Sequence, residues 1–208
     1  MRKDFGAKPF TYPQPVLILG SYDKDGNPDA MNAAWGGISG GNEISMCISA
    51  GHKSTKNILE RKAFTVSMAD LEHTAACDYV GLVSAGNTPD KFETAGFHAV
   101  KSKFVDAPLI EELPIAAECR LKSYDAGTGR MVGEIVNICV DERVLDENGN
   151  VDVSKPSTRS TTPMLSSARQ SQRRSAPATR SNKNIRKTPR TFPCGTFCFS
   201  DVTFNILS

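Results

Sequence analysis

"PIAAECRLKSYDAGTGRMVGEIVNICVDERVL", residues 114–145, holds two long strand candidates. They flank "YDAGTGR", a glycine-containing turn of hairpin length. In the second strand Met131, Gly133, Ile135, Asn137 and Cys139 alternate with Val132, Glu134, Val136 and Ile138. A period of two marks a β-strand with unlike faces. The strict period fails around 138–140, where a barrel strand bends or is covered on both sides. A long antiparallel hairpin of this kind belongs to a β-fold rather than to alternating βαβ units.

The flanking chain agrees. "PVLILGSYDKDGNPDAMNAAW" reads as strand, turn, strand, with an apolar run over Val16–Gly20 and a positive-φ turn at Asp25-Gly26. "EISMCIS" at 43–49 alternates Ile44, Met46 and Ile48 with small or polar partners, and "AFTVSM" at 63–68 is another strand. Ser54 or Thr55 is placed to cap a helix through about Lys62, with Ile58 and Leu59 inward. "EHTAACDYVGLVSA" at 72–85 reads as a short helix, and "TPDKFETAGF" as a Pro-initiated turn closed by Gly96. "DENGN" supplies another Asn-Gly turn. Five or six hairpin-joined strands with a few short helices indicate an antiparallel β-barrel. No G-x-G-x-x-G follows a strand; "WGGISGGNE" has the wrong spacing for a dinucleotide fold.

Composition divides the chain. Residues 1–154 carry 15 Lys+Arg against 22 Asp+Glu, a balance of −7. Residues 155–208 carry ten against a single acid, Asp201, a balance of +9, so the net +2 conceals two different segments. The 39% of hydrophobic residues can build a core, and no 18-residue apolar run spans a membrane. "MRKDFGAKPFTYP" lacks the apolar stretch of a secretory signal. The six cysteines (47, 77, 119, 139, 194 and 198) read as small reduced core residues of a cytoplasmic protein. Cys194 and Cys198 have neither a second pair nor a nearby histidine for zinc, and His73 and His98 lack ligand spacing. Glu118 and Glu134 fall in strands, face solvent, and form no paired-carboxylate site.

Two stretches carry ligand chemistry. "SAGHKSTKNILE", residues 49–60, packs His52, Lys53, Ser54, Thr55, Lys56 and Asn57 around the start of a helix. The first turn exposes unpaired N–H groups and partial positive charge. Two lysines and three polar side chains around it make a cradle for a terminal phosphate. A capped helix with solvated lysines is the plainer alternative; it accounts for one hydroxyl but not for the whole set. "MNAAWGG", residues 31–37, sets the only tryptophan among small residues near a strand end. Small residues let backbone approach a flat ligand, and Asn32 offers an amide to a ring edge. Trp35 equally suits a core or a dimer interface.

Several co-linear segments resemble the flavin reductase-like family: "YPQPVLILGSYDKDGNPDAMNAAWGGIS", "SAGHKSTKNILERKAFTVSM", "CDYVGLVSA", "PDKFETAGF" and "VDAPLIEELPIAAECRL" with "VGEIVN". The likeness is to the flavoredoxin-related branch and runs over residues 1–154. It implies an FMN-binding split β-barrel, mainly β with inserted short helices, that pairs as a homodimer. It implies that Asn32, Ala33, Ala34, Trp35 and Gly36 approach the flavin ring. It further implies that Ser49, Gly51, His52, Lys53, Ser54, Thr55 and Asn57 surround the ribityl and phosphate groups. Asp78 and Tyr79, or Asp90 and Lys91, either border a partner's flavin or form a capped helix and a surface ion pair.

The implied activity is an FMN-dependent oxidoreductase that takes hydride from NADH or NADPH and passes electrons to a small-molecule or protein acceptor. No side chain is required as an acid or base, because the cofactor carries the chemistry. A non-catalytic FMN electron carrier would use the same pocket. Residues 155–208 depart from the likeness as a Ser/Thr/Arg-rich, disorder-type tail. Family members continue there with an acidic strand and a helix resembling "LGExVGxAF". "SSARQSQRRS", with suitable codons shifted by one nucleotide, permits such a pattern. A frameshift near residue 155 would explain the tail, and a third reading of the chain is a C-terminally damaged member that no longer binds flavin. A basic arm for nucleic acid is the weaker alternative, since aromatics are absent from its arginine-rich part.

Overall fold

The computed structural model describes residues 2–4, 6–8 and 14–155, so the tail beyond residue 155, and with it the expected frameshift, lies outside the described residues. Its elements are β1 (Leu17–Tyr22), β2 (Pro28–Ala33), β3 (Gly36–Ile38), β4 (Glu43–Cys47), α1 (Lys53–Arg61), β5 (Ala63–Met68), α2 (Thr74–Leu82) and α3 (Lys91–Thr94). There follow β6 (Ala99–Lys101), β7 (Pro108–Ile110), β8 (Ile115–Asp125) and β9 (Arg130–Val140). Seven strands form one antiparallel sheet in the order β2-β1-β5-β8-β9-β4-β3, and β6 pairs with β7 in a small ribbon. The expected strands are all present. The three additional ones have three residues each, too few for a period to show.

The strand order sets the shape. β2 and β3 are opposite edges of the sheet, yet only Ala34 and Trp35 separate them. From Ala33 to Gly36 three Cα steps cover at most about 11 Å. Six spacings of a flat sheet would come to about 29 Å. The sheet must therefore curl until its edges meet, giving a half-barrel. The Cys47 N–H bonds the Trp35 carbonyl at 2.8 Å and fixes this corner.

Interior positions follow the expected alternation. Leu19, Ile44, Met46, Phe64, Val66 and Met131 line the barrel, and Ile58 of α1 joins them. Gly133 is required by the same core: a Cβ there would lie 2.4 Å from Phe64 Cζ. Ile18 and Ala30 face the other way, under Cys77 and Val80 of α2 and Phe92 of α3. β1 is thus buried on both faces, which is why it reads as an unbroken apolar run. The irregularity of the long hairpin falls at Val136 and Lys122, where the register shifts, rather than at 138–140. Val136 packs with Ala63, Val105 and Ala107 as a separate small cluster.

Two loops repeat one design. In Asp23–Asn27 and Asp146–Asn150 the first carboxylate accepts the N–H groups two residues on (3.0 and 2.9 Å) and four residues on (2.9 and 2.8 Å). The expected glycines, Gly26 and Gly149, take φ of +86° and +79°. Asp23 additionally receives Lys53 Nζ at 3.1 Å, and its carbonyl receives Arg61 Nη2 at 2.6 Å, tying the hairpin to α1.

Several sequence expectations are corrected. α1 is not capped by Ser54 or Thr55: its N-cap is His52, with no side-chain bond. Both hydroxyls are instead drawn into the fold, Ser54 toward Asp29 and Thr55 toward the Ser49 carbonyl. Glu118 does not face solvent. It is 1% exposed and accepts from Ser102 Oγ and Asn137 Nδ2. Ser102 Oγ in turn accepts the N–H groups of Phe104 and Val105 at 3.0 Å each, so a buried carboxylate shapes the connection between β6 and β7. Lys91 forms no surface pair with Asp90. It is 3% exposed, and its Nζ lies 3.0 Å from Asp29 Oδ1. The start of α2 is held by Asp70, which accepts the His73 N–H at 2.7 Å, while Asp78 lies within that helix. Of the four described cysteines, Cys77 and Cys119 are buried as expected, whereas Cys47 is half-buried and Cys139 exposed.

Two outcomes follow for stability. Glu118→Gln replaces one acceptor oxygen by a donor facing buried donors, and urea unfolding should report a loss of about 2 kcal/mol; a loss under about 0.5 kcal/mol would assign the cluster no structural weight. For Asp23, burial raises the pKa, but bonds from the Asn27 N–H, Lys53, the Asn27 amide and the Asp25 N–H outweigh it, lowering the value from 3.8 to about 2. A depressed folded-state pKa contributes stability above the unfolded value that is lost as pH falls through the folded one. Wild type should therefore exceed Asp23→Asn in melting temperature above pH 4 and converge on it toward pH 2.

Candidate functional site

The site is assembled where β2, the β4–α1 connection and the start of α1 come together. After β4 the chain passes Ile48 and turns at Ser49–Gly51: the Gly51 N–H bonds Ser49 Oγ at 3.3 Å, and the His52 N–H bonds the Ser49 carbonyl at 3.3 Å. The first bond into α1 is from the Lys56 N–H to the His52 carbonyl at 3.3 Å. The N–H groups of Lys53, Ser54 and Thr55 therefore precede any intrahelical acceptor. No acid lies in that first turn. A Cβ on Gly51 would meet only Ser49 Oγ, at an ordinary 3.8 Å, so the chain itself does not demand glycine there. An uncapped helix start, with no acid in its own first turn and with Lys53 and Lys56 on it, fits the phosphate of a mononucleotide.

The expected phosphate side chains divide into two groups. Lys53 and His52 are half-buried, and Lys56 is exposed. Ser54, Thr55 and Asn57 are buried, and each has an internal partner. Ser54 Oγ donates to Asp29 Oδ2 at 2.6 Å, Thr55 Oγ1 to the Ser49 carbonyl at 2.7 Å, and Asn57 Nδ2 to Ser21 Oγ at 3.3 Å. These three side chains orient the helix start, and what the helix presents to a ligand there is its backbone N–H groups and its lysines. Lys53 is itself shared with Asp23.

The expected ring residues lie at the barrel corner. Ala33 is interior and 8% exposed, whereas Ala34, Trp35 and Gly36 are half-buried. Gly36 has a reason within the fold: a Cβ would lie 2.9 Å from both Leu17 Cδ1 and Met46 Cβ. Asn32 Nδ2 donates to the Cys77 carbonyl at 3.2 Å, and its amide occupies the space that a Cβ on Gly81 would fill. Asn32 thus fastens α2 to β2. Trp35 accepts the Cys47 N–H through its carbonyl, two positions before Ser49, so both expected stretches share one end of the molecule.

Sequence reading missed the charges beneath this region. Asp29 shares its phase in β2 with Met31 and Ala33, the interior side, and such placement was the available signal of a buried carboxylate. Its partner, Lys91, comes from a distant helix. Lys91 Nζ also donates to the carbonyls of Val80 and Val83 at 3.3 Å each, the C-terminal end of α2, where cations are favoured. Burial and, next, the Lys91 ammonium push the His52 imidazole below its usual pKa, with Asp29 partly opposing them. His52 is therefore neutral at pH 7.

Comparison with known proteins places this geometry. The family described as flavin reductase like domain matches residues 10–172. Flavoredoxin of Desulfovibrio vulgaris (Miyazaki F) is 34% identical, with 74% of this chain and 84% of that one covered at a TM-score of 0.69. The 2-nitrobenzoate 2-nitroreductase of Pseudomonas fluorescens is 26% identical, covering 69% and 73%, at a TM-score of 0.60. Flavoredoxin from Methanosarcina acetivorans, at 23% identity and a TM-score of 0.64 over 76% of this chain and 83% of that one, shares the fold. An uncharacterised protein of Aquifex aeolicus (strain VF5) is 36% identical over 107 residues, 49% of this chain and 53% of its own; the chain spans about half the length of that curated relative. By the extent of the family match and by the curled half-barrel with its short helices, the chain belongs to the flavin reductase-like domain family.

Proposed function

We propose that the protein binds FMN and works as a flavin-dependent oxidoreductase, with reducing equivalents supplied by NADH or NADPH. The observation that carries the reading is the uncapped, acid-free start of α1 beside the Trp35 corner, in a chain of this family. The N–H groups of Lys53, Ser54 and Thr55, with the Lys53 and Lys56 ammonium groups, would hold the phosphate. The stretch Asn32–Gly36 would border the ring, with Asn32 acting through its hold on α2. When bound, the flavin supplies hydride and electron transfer, and the chain supplies binding, orientation and a partly dry wall.

The internal bonds of Ser54, Thr55 and Asn57 fix the helix start before any ligand arrives, which reduces the ordering cost of binding. Neutral His52 adds a hydrogen-bonding group without charge. The reading includes a homodimer and a small-molecule or protein acceptor. None of the described helices is long and apolar enough to cross a membrane. The likeness to a flavoredoxin at 34% identity favours a second reading, in which the same bound flavin serves an electron carrier. Mixing the FMN-loaded protein with NADH separates the two: rapid bleaching of the flavin band marks the reductase, and a persistent band the carrier.

Titration of FMN and of riboflavin into wild type and Lys53→Ala tests the phosphate site. The variant should bind FMN about tenfold more weakly, as befits one lost charge-assisted bond, while riboflavin affinity is unchanged. Equal losses would move the phosphate away from α1, and a wild-type protein that binds neither would overturn the flavin reading.

A further inference from the structure

Two clefts on the outer side of β4 and β9 meet at Arg130. The larger, about 540 Å³, is walled by Trp35, Gly36, Ile38, Cys47, Thr128 and Arg130, among others. The second, about 370 Å³, is walled by Glu43, Lys122, Tyr124, Asp125, Arg130 and Val132, among others. Asp125 and Arg130 belong to both walls, so the clefts adjoin. Each volume lies in the range that seats a small organic ligand.

Charge singles out Arg130. Glu43 is engaged by Lys122. Asp125 accepts the N–H groups of Gly127 and Thr128 at 2.8 and 3.3 Å, serving its own turn. Arg130 is exposed, and among the described residues its guanidinium forms no ion pair. Its neighbour Met131 is buried, so alternation along β9 turns Arg130 outward into the clefts. A guanidinium presents a planar fork of donors matched to phosphate oxygens. The larger cleft is also walled by Trp35, a flat aromatic surface at the corner proposed for the flavin ring.

We propose that these joined clefts seat the dihydronicotinamide dinucleotide, with its pyrophosphate on Arg130 and its nicotinamide end toward Trp35. The inference rests on the flavin reading above and adds to it the residue that selects an anionic reductant. It accounts for a cation held at the junction of two clefts without a carboxylate of its own.

Trp35 is the single tryptophan of the chain, so its emission reports on this cleft directly. Wild type, Arg130→Ala and Arg130→Lys are each titrated with NADH and with neutral 1-benzyl-1,4-dihydronicotinamide, which lacks phosphate, and separately with FMN. Arg130→Ala should weaken NADH about tenfold or more, the loss of a charge-assisted contact. It should leave the neutral compound and FMN unchanged, and Arg130→Lys should recover part of the NADH affinity. An NADH affinity within twofold of wild type in Arg130→Ala overturns the proposal. So does a parallel loss for FMN, which would make Arg130 part of the flavin site, and so does a wild-type protein that binds FMN but not NADH. Failure to bind FMN alone strikes the flavin reading, and the NADH titration still decides Arg130.

Discussion

A link of two residues, Ala34 and Trp35, joins the two edges of a seven-stranded sheet. That connection is much too short for a flat sheet, so curling is enforced by covalent geometry before any packing preference enters. Once the edges meet, the inward residues of β1, β4, β5, β8 and β9 enclose one core, and Ile58 of α1 completes it. The corner also makes a consequence for ligands. It leaves Trp35 half-buried beside the strand that leads into α1, and it places Gly36 where only a bare backbone fits between Leu17 and Met46.

Function in such a barrel depends on how polar groups are divided between the fold and the ligand. At the start of α1 the buried side chains serve the fold: Ser54, Thr55 and Asn57 each bond an internal oxygen. Their burial is affordable because each has a partner, and an unpaired polar group there would be costly. What remains outward is the backbone donor set and the lysines. In the proposed reading the division gives a rigid anion site, since the helix start is fixed from beneath and not by a cap that a ligand would have to displace. Beneath it the Asp29–Lys91 pair, with side chains 1% and 4% exposed, couples β2 to α2 and α3. Removing either partner would strand a buried charge.

The Ser102–Glu118–Asn137 cluster applies the same logic on another face. A carboxylate on the long hairpin organises a turn that sequence alone would read as an unremarkable loop. Asp23 and Asp146 do so locally, each closing its own loop through two N–H bonds. Because that second kind of bonding is local, it is visible in the sequence as an Asp followed by Asn-Gly or Asp-Gly. The buried cluster is non-local and leaves no comparable mark.

The hairpins, the antiparallel character, the helix at 53–61 and the polar crowd at its start were legible along the chain. Each of these arises from neighbours in the chain: a side-chain period of two, a glycine at positive φ, an orphaned first turn. Which polar residues are consumed by internal bonds and which stay outward emerged only from long-range folding. Ser54 and Thr55 look like caps from sequence, yet Asp29, 25 residues upstream of Ser54, and the Ser49 carbonyl take them. Glu118 looks like a surface residue on an alternating strand until Ser102 is folded against it, and Lys91 looks like half of a local ion pair until Asp29 is brought 3.0 Å away. Local periodicity fixes where a side chain points along its own strand or helix, but its bonding partner is set by chain closure between distant segments, which no short window contains.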